Sequence, residues 1–179
     1  MRTAIALLLG AWMVGTVVVG GVAAENFFLI DRLLPPTSSI PPNTAFQKDA
    51  AQLPPGEARQ MLRYLSSELN RFYFNVWGWM ELVFGTLALA LAVKGLKQRK
   101  FTIGFSILLA LTAVMTLYIT PRIIVVGRSL DYVPRVPAPP GLAEFGMLHG
   151  AYSILDLLKL LAGIWMAVAL VRGERNEAR

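Results

Sequence analysis

The sequence contains no cysteine. Disulfides, thiolate metal sites, iron–sulfur clusters and a CxxCH haem attachment are therefore excluded. Its single histidine excludes bis-histidine haem and multi-histidine zinc within one chain. GxGxxG, P-loop and GxSxG patterns are missing. Charge is scarce as well: 16% of the 179 residues are charged and 55% are hydrophobic, with a mean hydropathy of +0.55. That is too apolar for an ordinary soluble domain and fits a small polytopic membrane protein of one domain. A net charge of +6 would suggest nucleic acid in a soluble protein. Here it reads as topology-setting residues and attraction to anionic lipid head groups, with no nucleic-acid partner.

What is present is a set of four apolar stretches. Residues 4–24 form a run long enough to cross a ~30 Å hydrocarbon core. A cleaved signal peptide is the alternative, with Arg2 before the run and Ala23 and Ala24 after it; the length of the run favours a retained helix. Gly10, Gly15, Gly20 and Gly21 would allow close packing on neighbours. The helix is expected to continue through Glu25–Leu34 until Pro35 and Pro36 stop it. Prolines at 35, 36, 41, 42, 54 and 55 make 35–55 an irregular extramembrane loop.

Residues 56–70 read as an amphipathic helix with Met61, Leu62, Leu65 and Leu69 on one face. It runs into a second span at 72–93, where Tyr73, Trp77 and Trp79 suit an interfacial aromatic belt. The tight turn 94–100 (KGLKQRK) carries the strongest orientation signal and belongs in the cytoplasm. A third span covers 101–120, with Pro121 kinking or ending it and Arg122, Arg128, Asp131 and Arg135 following in a second outer loop. The last span, 147–171, leads into a charged tail. The expectation is an all-α integral membrane four-helix bundle with outer-side helical extensions and a proline-rich loop, lying in the cell membrane with both termini cytoplasmic.

One line of polar residues breaks the last span. His149, Ser153, Asp156 and Lys159 recur at i, i+4, i+7 and i+10 and share a stripe of the helix. Charges inside a span cost several kcal/mol and nearly always face other helices or water. At 1.5 Å rise per residue, depth can be counted from the inner boundary cation of each span. Glu25 lies 23 residues from Arg2, Arg71 23 from Lys94, Arg122 22 from Lys100 and His149 23 from Arg172. All four fall at roughly 33–35 Å, the outer interface. Glu81 and Lys159 each lie 13 residues from their boundary, at a shared depth of roughly 20 Å. An outward-facing pocket with Glu25, Arg71, Arg122 and His149 as rim and Glu81, Asp156 and Lys159 below is the candidate ligand site. Glu81–Lys159 is the expected pair, with Asp156–Lys159 the competing arrangement.

The segments SELNRFYFNVWGW (Ser67–Trp79), TPRIIVVGRSLD (Thr120–Asp131) and LHGAYSILDLLKLL (Leu148–Leu161), with ENFFLIDRLL (Glu25–Leu34), resemble the transmembrane protein 205-like family, four-span integral membrane proteins of unknown function. The resemblance implies a four-helix membrane bundle and no particular chemistry.

Three functions are open at this level. The first is a non-enzymatic accessory or structural subunit of a larger membrane complex, or a homo-oligomer. The second is a protein handling a small anion, protons or a porphyrin in the outer pocket. Haem at His149 is the least favoured version, and no cofactor is predicted. The third is an enzyme using His149 and Asp156 as an acid–base pair, for which no nucleophile or metal cluster speaks. Membrane lipids are partners in every case.

Overall fold

A computed structural model describes residues 1–34, 44–96 and 98–177. Its elements are α1 (Arg2–Leu33), α2 (Thr44–Ala50), α3 (Glu57–Gly95), α4 (Arg99–Val114), a π-helical turn (Met115–Ile119), α5 (Thr120–Arg128) and α6 (Leu142–Glu177). No strand occurs among the described residues. Four helical rods, α1, α3, α4–α5 and α6, are long and apolar enough to cross a membrane. Only 22–33% of each apolar window is buried inside the bundle. The outward majority is large and hydrophobic, with Leu7, Val83, Ile107 and Trp165 all exposed, which is the surface a lipid solvent requires.

Sequence-local chemistry sets the ends of these rods. Leu34 precedes Pro35, whose ring disfavours helical backbone at the preceding residue. Leu34 is accordingly extended, and α1 stops there. Gly56 and Gly141 take φ of +87° just ahead of α3 and α6, a conformation open to residues without a Cβ. The long α3 runs without interruption from the polar segment 57–71 into the span, as its sequence pattern predicts.

Several expectations need correction. The part of the proline-rich loop that lies within the described residues holds a short helix, α2; residues 35–43 lie outside the described set. Pro121 does not end the third span. Thr120 donates its backbone N–H to the Met115 carbonyl, five residues back, in a wide π-turn just before the proline. Such a turn absorbs the missing proline donor, and the helix then continues to Arg128. Arg122 and Arg128 are thus helical, and the loop holds only residues 129–141. The face formed by Met61 and Leu65 points outward rather than onto the bundle. Its neighbour Ser66 is the buried residue of that stretch. Finally, Gly10, Gly20 and Gly21 look onto open space; of the four α1 glycines only Gly15 is packed against.

The rods form a ring in the order α1, α3, α4–α5, α6 and back to α1. This places α3 and α6 on a diagonal. One end of the bundle carries the start of α1 and the end of α3, with Met1 lying against Gly95. The apolar core (Ile5, Leu9, Ala88, Phe105, Leu108 and Leu170) fills that half. A polar layer sits above the core, and the 129–141 loop lies at the opposite end.

Candidate functional site

The polar layer is built by α1, α3 and α6. Glu81 and Lys159 are 1% and 0% exposed. The Lys159 ammonium donates to both Glu81 oxygens, at 2.6 Å to Oε1 and 2.8 Å to Oε2. It also reaches Asp156 Oδ1 at 2.8 Å. The two pairings expected to compete therefore coexist: the ammonium donates to both Glu81 oxygens and is also ion-paired with Asp156. Lys159 also explains how diagonal helices meet: its four-carbon stem crosses the interior.

Two residues of α1 complete the layer. Trp12 Nε1 donates to Glu81 Oε1 at 3.0 Å, and the Thr16 hydroxyl donates to the same oxygen at 2.9 Å. Trp77 Nε1 donates in turn to the Thr16 oxygen at 3.3 Å. Trp77 is thus a buried structural donor and not the interfacial residue its position suggests. Its indole lies directly on Gly15, where any side chain would occupy the ring's place. Glu81 receives charge-assisted and neutral hydrogen bonds from three residues, which is what a carboxylate needs to persist away from water. The layer carries two carboxylates against one ammonium. The excess lies toward Asp156, whose side chain is 26% exposed.

A second constellation lies at the loop end. Arg71 of α3 forms a two-pronged pair with Asp131, Nη1 to Oδ2 at 2.8 Å and Nη2 to Oδ1 at 3.0 Å. Nη1 also reaches Glu68, and Arg128 of α5 grips the same Glu68 at 3.1 and 3.2 Å. The chain of alternating charge joins α3 to α5 and the loop after it. The Arg128 and Arg71 hydrogen bonds hold the Glu68 carboxyl below its usual range. On the α1 side, Asn26 donates to Asn70 at 2.7 Å, Asn70 to the Ala23 carbonyl at 2.9 Å and Ser66 to the Asn26 carbonyl at 2.9 Å.

Between these ties two cavities open. The lower one, about 140 Å³, is lined by Phe74, Thr120, Ile123, Ile124, His149 and Tyr152. The upper one, about 260 Å³, is lined by Arg59, Arg63, Tyr64, Asp131, Tyr132 and Arg135, among others. Phe27, Ser67, Arg71 and Phe145 border both, so the two adjoin across a common wall and together make a cleft region with an apolar floor and a basic mouth.

The six predicted site residues are thereby divided. Arg71 and His149 share the cleft. Glu81, Asp156 and Lys159 form the interior layer, outside the cleft walls. Arg122 faces away and pairs with Glu144 at 2.6 Å. Glu25, the fourth rim residue, pairs with Arg32 of its own helix. His149 stacks on Phe145, with the rings 8° from parallel, while Asp156 is held by Lys159; the acid–base pair is not assembled. Trp12, Thr16, Glu68 and Asp131 were missed as site residues. Thr16 had a signal: it lies 14 residues from Arg2, in the same depth layer as Glu81 and Lys159. Among the described residues no group of three or more histidine, cysteine or acidic side chains is placed to hold a metal.

Compared with protein-family models, curated proteins and solved structures, the chain matches none of them.

Proposed function

We propose that this is a non-enzymatic multi-pass protein of the cell membrane that holds a small apolar or amphipathic ligand in its loop-end cleft. The adjacency of the apolar floor and the basic mouth across Phe27, Ser67, Arg71 and Phe145 supports this reading. Ligand sites combine such apolar walls with a few placed polar groups. The interior layer is then a register device, since its buried donors and acceptors are committed to one another. Haem is not part of the proposal: the lower cavity is small. Membership of the transmembrane protein 205-like family accords with the four-span bundle.

Purification in mild detergent followed by native mass spectrometry tests the reading. The expected result is a species heavier than the bare chain, which loses its added mass when Ile124→Trp fills the cleft. A species of bare mass, or added mass that Ile124→Trp leaves in place, overturns it. In the membrane we place both termini and the 94–100 turn in the cytoplasm, on the density of cations in that turn. A reporter after Arg179 should read cytoplasmic and one near Pro42 external; the reverse readings overturn the orientation.

A second reading, an accessory subunit of a larger complex or a homo-oligomer, is favoured by α1. Val14, Val17, Gly20 and Gly21 expose a smooth outward surface, with open space where the two glycines would carry a Cβ. Small residues let helices approach closely in lipid. Because the chain has no cysteine, Val14→Cys gives a single reactive site. Crosslinking in native membranes should trap a partner there, and the absence of any adduct counts against this reading.

A further inference from the structure

The mouth of the cleft contains more positive charge than the fold uses. Arg71 is committed to Asp131 and Glu68, and Arg59 pairs with Asp31 of α1. Arg63 and Arg135 line the same cavity, are exposed, and pair with no carboxylate among the described residues. They come from separate elements, α3 and the 129–141 loop, and the fold brings them to one opening. Directly beneath, the shared wall of Phe27 and Phe145 leads to the apolar floor of Phe74, Ile123 and Ile124. A soluble anion would leave that floor without a partner. A neutral lipid would leave the two arginines without one. An amphiphile with an anionic head satisfies both.

We propose that the cleft is a site for an anionic phospholipid, its phosphate held at Arg63 and Arg135 and part of one acyl chain entering between Phe74, Ile123 and Tyr152. This rests on the cleft reading above and names the ligand class. A guanidinium suits the role, because its fork matches phosphate oxygens and it stays charged at any physiological pH. The neighbouring Asp131 keeps Arg71 occupied, so the lipid head meets the two arginines of the mouth and leaves the tie between α3 and α5 intact. The lower cavity, about 140 Å³, has room for about four or five water-sized groups at roughly 30 Å³ each, the length of a chain segment and not of a whole tail. The remaining chain would lie along the exposed apolar rods.

The test uses the full chain in nanodiscs or mild detergent, with phosphatidylglycerol and phosphatidylcholine as probes and retained lipid read by native mass spectrometry. Lys94→Ala with Lys100→Ala removes cations at the termini end and controls for lipid bound there. Wild type should retain phosphatidylglycerol over phosphatidylcholine by about tenfold or more. Arg63→Ala with Arg135→Ala should abolish that preference, whereas the termini-end control should keep it. Both mouth arginines are exposed, so the double variant should melt close to wild type. Equal retention of the two lipids, or a preference that survives loss of both arginines, overturns the inference. In that case the cleft reading still stands if Ile124→Trp or Ile123→Trp displaces whatever lipid is bound. If neither filler displaces lipid, the cleft reading falls as well.

Discussion

Glu68 and Glu81 lie 13 residues apart on the same helix, about 20 Å along its axis. Each accepts hydrogen bonds from cationic side chains on other elements. Glu81 is sealed, with Lys159 across the bundle and two α1 donors on one oxygen. Glu68 is 31% exposed and meets two arginines, one of them itself 60% exposed. The chemistry is similar and the surroundings differ. In the sealed layer a carboxylate without its ammonium has no solvent to fall back on, so the pair is held by what its loss would expose. At the loop end water replaces a lost partner, so the same ion pairs matter less for folding.

The sharpest way to break this comparison is in the sealed layer. Glu81→Leu should cost about 3–5 kcal/mol, because it leaves a buried ammonium with only Asp156. Adding Lys159→Leu should restore part of the loss. Thermal unfolding in detergent measures both, and additive losses would mean that the two residues are not coupled. Gly15→Val tests the scaffold of the same layer: it drives Trp77 from its seat and should cost about 1–3 kcal/mol. Loss of the Trp77-dependent fluorescence environment should accompany it; an unchanged melt would remove the indole from the network.

At the loop end the effects should shrink with exposure. Arg71→Ala removes a two-pronged bond from a group 12% exposed and should cost about 1.5–3 kcal/mol. Arg122→Ala removes a pair half open to solvent and should cost less than about 1 kcal/mol. Equal melts for the two variants would erase the gradient. The smallest effect concerns pH. Glu68 lies beyond the apolar stretch, and its hydrogen bonds from Arg128 and Arg71 hold its carboxyl below the ordinary value of 4.5. Its stabilising contribution is therefore complete above that value and lost as pH falls through the lower, folded-state value. The stability difference between wild type and Glu68→Gln should be present near about pH 7 and shrink as pH falls below the ordinary carboxylate range. A difference that grows on acidification would contradict the direction.

The sequence pattern carried a good deal of this. Four long rods follow from hydropathy, since a span needs a continuous apolar run. Glu81 and Lys159 were legible as partners because helix rise converts residue counts into depth. The same count reaches Thr16, yet a threonine in an apolar run is too ordinary to stand out. What depth cannot give is azimuth. The ring order of the rods decides that Arg71 faces Asp131 while Arg122 faces Glu144, and nothing in the period of a single helix reveals it. Trp77 illustrates the same gap: tryptophan suits an interface, but a small residue opposite, Gly15, and an acceptor, Thr16, draw it inward. Pro121 was legible as a kink or an end; which of the two holds is decided by the π-turn in the preceding residues, which lets the helix continue.

The diagonal tie also has an order in time. Synthesis runs from the N-terminus, so Trp12 and Thr16 are already in place when Glu81 arrives. Lys159 follows 78 residues later. Until then Glu81 holds two neutral donors and no counter-charge, and the first three rods form an unfinished object with a poorly sheltered acid at its centre. Arrival of the last rod supplies the missing cation and closes the ring in one step. The last rod thus brings Glu81 its one cationic partner, and a truncated copy ending before Lys159 would present its acid to the cell's quality control.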